Sequence, residues 1–143
     1  MSGEGRAAGD GDAGGEAGAG GGRRGQRRVD KPWGHELIWA HTERYVGKLI
    51  VIDTGRRLSL QRHEIKDESI YVTSGRLRLY LEDEDGTVQV EELTAGAHRH
   101  VPTGRIHRYE AIERTELMEV STPELDDVVR IEDDFGREGT NAP

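Results

Sequence analysis

Cysteine is missing from the chain, which removes disulfides and thiolate metal sites and leaves imidazole, carboxylate and amide groups as the available ligands. The same absence makes a reducing, cytoplasmic compartment the default expectation. Long apolar runs are missing too. Nothing approaches the roughly 20 residues that a membrane helix needs, so no membrane partner is expected. Aromatic residues make up only 5% of the chain, with one Phe and two Trp, and Trp33 and Trp39 are both expected to serve packing. Positive charge is in deficit: the net charge is -8, and residues 1–28, with five Arg against four acids, leave -9 on the remainder. That balance argues against nucleic acid as a partner. The basic cluster Arg23, Arg24, Arg27 and Arg28 reads as a solvated face.

Residues 1–28 contain no Val, Ile, Leu, Phe, Tyr or Trp and are dominated by Gly and Ala. Such a composition does not offset the entropy of ordering the chain, and a disordered tail is expected. It also lacks the apolar core of a secretory signal. Residues 29–143 are about one ordinary domain.

Within that domain, short alternating runs separated by Gly, Pro and Asp-Gly turns predict an all-β fold of two packed antiparallel sheets, a jelly roll with little helix. The segment VDKPWGHELIWA opens with an edge strand from His35. In RYVGKLIVID, alternation puts Val46, Lys48, Ile50 and Ile52 on one face, and a lysine among apolar neighbours needs a reason. Either Lys48 lines a pocket or it snorkels to water. Gly75 is expected to turn the chain back as a hairpin into GRLRLYL, with Leu77, Leu79 and Leu81 inward, and Asp85-Gly86 predicts a further hairpin. HRYEAIE and TELMEVSTP read as two closing strands. Phe135, in an acidic run, is expected to anchor the end of the chain against the barrel.

The chemistry gathers in two stretches. Gln61 and His63 are two residues apart, which on a strand aims both at one face, and Glu68 follows. Later a Pro-x-Gly turn leads to His107. His98 and His100 share a phase, but a metal already given four ligands does not need them, and they read as surface histidines.

Gly55, Gln61-Arg62-His63, Glu68 and Gly75 resemble the first cupin motif, and Gly96, Pro102, Gly104 and His107 the second. Two positions depart from it: Gln61 stands where the first histidine is common, and Ala111 where asparagine is. Gln-x-His resembles the ligand pair of phosphomannose isomerases. Lys31-Pro32-Trp33-Gly34, KLIVIDTGRRLSLQRH and ELDDVVRIEDDFGRE further resemble the cupin domain of type II phosphomannose isomerases, from about Lys31 to Arg137. The resemblance implies a cupin-type double-stranded β-helix and a metal held by Gln61, His63, Glu68 and His107. It also implies a mannose 6-phosphate/fructose 6-phosphate type of substrate. Arg57 and Arg137 match that pattern and Arg108 flanks the metal histidine, making these three the expected phosphate-binding residues.

One divalent ion is expected, zinc first, with Mn, Fe, Co or Ni also suited to mixed N/O ligation. Two imidazoles, an amide and a carboxylate would leave it open positions, as in catalytic sites. Aldose-ketose isomerisation needs a polarised carbonyl beside a carbon that gives up a proton, and Lys48 is the candidate cationic stabiliser or proton carrier. Guanylyltransferase activity is not expected, because the tail glycines lack the flanking strand and helix of a phosphate cradle. Two other readings stand beside the isomerase: a cupin that binds metal and sugar without turnover, and another metal-cupin enzyme such as an oxygenase, against which Gln61 counts. A homodimer is expected, since exposed edge strands must be covered.

Overall fold

The computed structural model describes residues 27–140, 142 and 143; the expected tail therefore lies outside the described residues from position 1 to position 26. Nine strands and no helix make up the described part: β1 (Arg27–Lys31), β2 (Gly34–His41), β3 (Val46–Ile52), β4 (Leu60–Arg62), β5 (Glu68–Glu82), β6 (Val88–Thr94), β7 (His98–Val101), β8 (His107–Ser121) and β9 (Val129–Glu132). The all-β expectation holds. β1 takes in Arg27 and Arg28, which pair with Ile38 and Leu37 of β2, so the first strand begins inside the stretch read as tail.

All pairings are antiparallel, and the order β1-β2-β3-β8-β4-β9 is joined to β5, β6 and β7 through β8. β8 is the seam. Its C-terminal half pairs with β3, it runs beside β5 from Ser121 back to His107, and its first residue lies opposite Gln61 of β4. The sheet thus curls round a core that includes Trp33, Ile50, Ile52, Ile70, Leu77, Leu79, Tyr109 and Leu117, all almost wholly buried. On β3, Val46, Lys48, Ile50 and Ile52 are buried together as read from sequence, but Gly47 and Val51 of the opposite phase are buried as well, so the strand is covered on both faces.

Three expectations are corrected. Gly75 does not end a strand, because β5 runs through it without a break. Its φ of +92° and a register shift there let the backbone pass close to β8, where a Cβ would meet the Arg114 carbonyl oxygen at 2.1 Å. The two expected closing strands are one, β8, because Thr115 between them is fully buried and its Oγ1 donates to the carbonyl oxygens of Arg76 and Glu113. Trp33 is core, but Trp39 is 44% exposed on the outer face of β2, its ring laid across Gly47. As expected, His98 and His100 are exposed and Phe135 packs against the core.

Candidate metal centre

The inner faces of these strands enclose a cavity of about 300 Å³, at the lower end of the size common for small-molecule sites. Gln61, His63, Glu68 and His107 all line it, and so does Lys48. Antiparallel pairing explains the convergence. Gln61 lies directly opposite His107, and residues opposite each other on paired strands present side chains to the same face. Glu68 opens β5, and His63 follows β4 on a loop clasped by Asp127, whose carboxylate accepts the backbone N–H groups of Glu64, Ile65 and Lys66.

Both imidazoles are oriented by their backs. His63 Nδ1 donates to the carbonyl oxygen of Asp127, and His107 Nδ1 to that of Arg105. A carbonyl can only accept, so in the neutral rings the lone pair sits on Nε2. Those two Nε2 atoms approach one oxygen, Glu68 Oε1, at 2.7 and 3.4 Å. Tyr109 Oη donates to the other, Oε2, at 3.2 Å, while Oε1 is buried and receives no hydrogen bond among the described residues. Three lone-pair carriers thus face one another inside the protein, all within 4.8 Å. Burying such a set without a cation is costly, and imidazole, carboxylate and amide suit a divalent ion. The residues fit a metal, and His63, Glu68 and His107 would hold it, with Gln61 on the same face.

The charges behind this group are arranged in pairs. Burial works to raise the Glu68 pKa, but the Lys66 charge and the close approach of Glu119, His107 and His63 hold it well below the usual carboxylate range. Its neighbour Glu119 goes the other way: burial first, then the Glu68 charge, push it up to about 8 against the pull of Lys66 and Lys48. Burial opposes the Lys66 charge, but Glu119, Glu68 and Glu36 outweigh it and raise the lysine. Burial, followed by the Glu68 charge, raises Tyr109, which keeps its phenol protonated as a donor. Lys48 Nζ donates to Glu36 Oε1 at 3.1 Å and lies 3.9 Å from Glu119. The lysine on the apolar face is therefore a pocket residue matched by acids on the flanking strands.

The three candidate arginines separate. Arg137 lines the cavity, where Asp133 accepts from its Nε and Nη2 at 2.7 and 2.9 Å. Arg57 grips Asp134 through two hydrogen bonds, and Arg108 donates to the carbonyl oxygens of Leu58 and Glu132; neither is part of the cavity wall. The wall also contains Lys31, Lys66, Tyr109, Glu119 and Arg130, which reading the sequence for ligands had passed over. A signal existed for one of them. Glu119 shares the phase of inward Leu117 and Ser121 on β8, the same kind of anomaly that drew attention to Lys48.

A family described as mannose-6-phosphate isomerase C-terminal matches residues 22–133. The xanthan biosynthesis protein XanB of Xanthomonas campestris pv. campestris (strain B100) is 34% identical over 116 residues, 78% of this chain and 24% of that protein. The mannose-1-phosphate guanylyltransferase ManC of Salmonella typhimurium is 33% identical over 116 residues, 78% of this chain and 23% of that protein. The chain therefore spans about a quarter of the length of these relatives. Among solved structures, KdgF from Halomonas sp. superposes with a TM-score of 0.61 at 23% identity, covering 68% of this chain and 88% of KdgF. Oxalate decarboxylase from Bacillus subtilis superposes with a TM-score of 0.67 at 17% identity, covering 74% of this chain and 30% of the enzyme. At these identities the structural likeness speaks for the fold, a cupin-type double-stranded β-helix. No helix among the described residues is long and apolar enough to cross a membrane.

Proposed function

The chain belongs to the mannose-6-phosphate isomerase C-terminal family of cupin domains, and on that premise we propose that it is a metal-dependent aldose-ketose isomerase acting on a sugar phosphate of the mannose 6-phosphate/fructose 6-phosphate type. The observation that carries the proposal is Glu68 Oε1, buried without a donor between two Nε2 atoms whose rings are locked by backbone carbonyls. A divalent ion, zinc first, would supply Lewis acidity toward the sugar carbonyl. The chain's own residues would do the rest. Gln61, as a neutral amide, leaves the site more electrophilic than a third imidazole would. Lys48, on the cavity wall, is proposed as the cationic stabiliser or proton carrier at the carbon next to that carbonyl, with Glu36 and Glu119 holding its ammonium in place. Arg137 is proposed to receive the phosphate.

A cytoplasmic setting and a homodimer belong to the same proposal. The dimer is supported by an apolar row across the outer face, Leu37, Leu49, Met118 and Tyr71, in register from β2 to β5. The test is metal analysis of the reconstituted full chain, followed by a coupled assay with mannose 6-phosphate. Metal binding with turnover is the expected result. Metal binding without turnover of any sugar phosphate would instead favour a cupin that binds metal and sugar only, and failure to bind a divalent ion at neutral pH would overturn the site.

A further inference from the structure

Cations in this protein are mostly matched to acids. Arg57, Arg76, Arg78, Arg99 and Arg114 each have a carboxylate within 4.0 Å, as do Lys48 and Lys66 inside the cavity. Apart from Arg27, which is exposed, two lining cations break the pattern. Lys31 and Arg130 have no carboxylate within that distance among the described residues, although both line the cavity and Arg130 is only 9% exposed. Arg137 stands with them. Asp133 occupies two of its nitrogens, and the third, Nη1, is buried without a partner among the described residues.

The strands bring these three together. Arg130 of β9 lies directly opposite Gln61 of β4 and therefore shares the face of the candidate metal ligand. Lys31 ends β1 in the same phase as Arg27 and Val29, which also line the cavity. Their charges act on one another. Burial lowers the Lys31 pKa and Glu36 opposes it, while Lys48, Arg130 and Arg137 push it down further; Arg130 is lowered by burial and then by Arg137. The acids of the wall are largely committed elsewhere: Glu36 to Lys48, Glu119 to Lys66, Glu68 to the candidate metal group it forms with His63 and His107, while Asp126 is exposed. Half-buried like charges whose nearest acids, Glu36 and Asp133, are already paired to Lys48 and Arg137 are unfavourable unless something anionic joins them. Fixed guanidinium forks are suited to tetrahedral oxyanions.

We propose that Lys31, Arg130 and Arg137 form a phosphate-dianion subsite in the cavity, beside the Gln61 side of the candidate metal centre. It rests on the sugar-phosphate reading of that cavity and specifies it. The phosphate end of the substrate would sit against β1, β9 and the C-terminal segment, with the sugar extending toward Gln61. Arg130 Nη1 donates to the Thr140 carbonyl oxygen, which fixes the guanidinium plane for this purpose.

Inorganic phosphate is the direct probe. Calorimetric titration of the full chain in the presence of a chelator, at constant ionic strength and against chloride, removes any contribution from a metal. Saturable phosphate binding is expected, weakened about 10-fold or more by Lys31→Gln and by Arg130→Gln, the scale of one lost charge-assisted hydrogen bond. Arg99→Gln, on the far surface, should leave it unchanged. Lys31 makes no side-chain hydrogen bond or ion pair among the described residues, so Lys31→Gln carries the test even if Arg130→Gln fails to fold. Absence of saturable binding, or equal affinity in Lys31→Gln and wild type, overturns the subsite. A coupled assay separates this from the isomerase reading. Phosphate binding that the variants weaken, without turnover of mannose 6-phosphate, keeps the subsite and removes the isomerase. Turnover with a KM for mannose 6-phosphate unchanged in Lys31→Gln does the reverse.

Discussion

His63 and His107 owe their orientation to two backbone carbonyls, and Glu68 owes its charge first to Lys66. Removing either histidine takes away a candidate ligand without touching the core, so His63→Ala and His107→Ala should each lose bound metal and turnover while circular dichroism still reports a folded β protein. Gln61→His is expected to separate binding from chemistry. An imidazole donates more strongly than an amide, so metal analysis should find the ion retained while sugar-phosphate turnover falls. Asp127 acts one step behind the ligands, since its carbonyl holds His63 and its carboxylate accepts three backbone N–H groups of the loop leading to Glu68. Asp127→Ala should weaken metal affinity about 10- to 100-fold, as losses of such supporting contacts do, measurable by competition with a chelating dye. Unchanged affinity would mean that the loop holds its shape without the clasp.

At the scale of elements, Gly75 and the C-terminal segment decide how strands become a closed cavity. Gly75→Ala places a methyl 2.1 Å from the Arg114 carbonyl oxygen at a φ of +92°, whereas Gly86→Ala, at a φ of +84° in a hairpin, meets nothing within 4 Å. The first should destabilise the domain by at least about 2 kcal/mol and the second by about 1 kcal/mol, a ranking that thermal denaturation checks. The C-terminal segment is tied down by Phe135, set between Arg56 and Arg137, and by the pair Asp133–Arg137. Hydrogen bonding from Arg137 holds the Asp133 pKa below its ordinary value. A carboxylate depressed in the folded state adds stability above its unfolded pKa, near 3.9, and loses it as pH falls through the lower folded value. Wild type should therefore melt above Asp133→Asn at neutral pH, the difference shrinking below about pH 4 and vanishing in stronger acid. Truncation before Ile131 removes the whole tie and should lower the melting temperature far more.

For the molecule as a whole, a ligand that binds the folded state alone stabilises it by mass action. A divalent ion at about 100 times its Kd should add about 2.7 kcal/mol, seen as a rise in melting temperature that His63→Ala abolishes. The net charge of -8 is spread over a surface whose cations are mostly paired to acids, yet Leu37, Trp39, Tyr71 and Val120 stand exposed on the outer face of the sheet. A second copy of the chain covering that face would bury them, and sedimentation should find a dimer that Tyr71→Lys with Val120→Lys turns into a monomer. A wild-type monomer at high concentration would contradict the proposal.

What the sequence alone determined was the set of candidate ligands and the class of fold. Gln61 and His63 at period two, Glu68 and the Pro-x-Gly turn before His107 are local patterns, and alternation with glycine turns marks strands wherever it occurs. Lys48 too was visible as a charge in an apolar phase. Beyond these, tertiary pairing decided. Gly75 reads locally as a turn, but the close passage of β8 makes it a bulge inside a longer strand. Trp39 reads as core because it is large and apolar, but the face it falls on is set by the partners of β2. Arg57 and Arg137 match the family pattern equally well and Arg108 stands beside His107 in sequence, and only the placement of Asp134, of the Leu58 and Glu132 carbonyls and of Asp133 separates the three. Lys31 and Arg130 are 99 residues apart in the chain; no local signal links them, because their proximity exists only once β1 and β9 close on the same cavity.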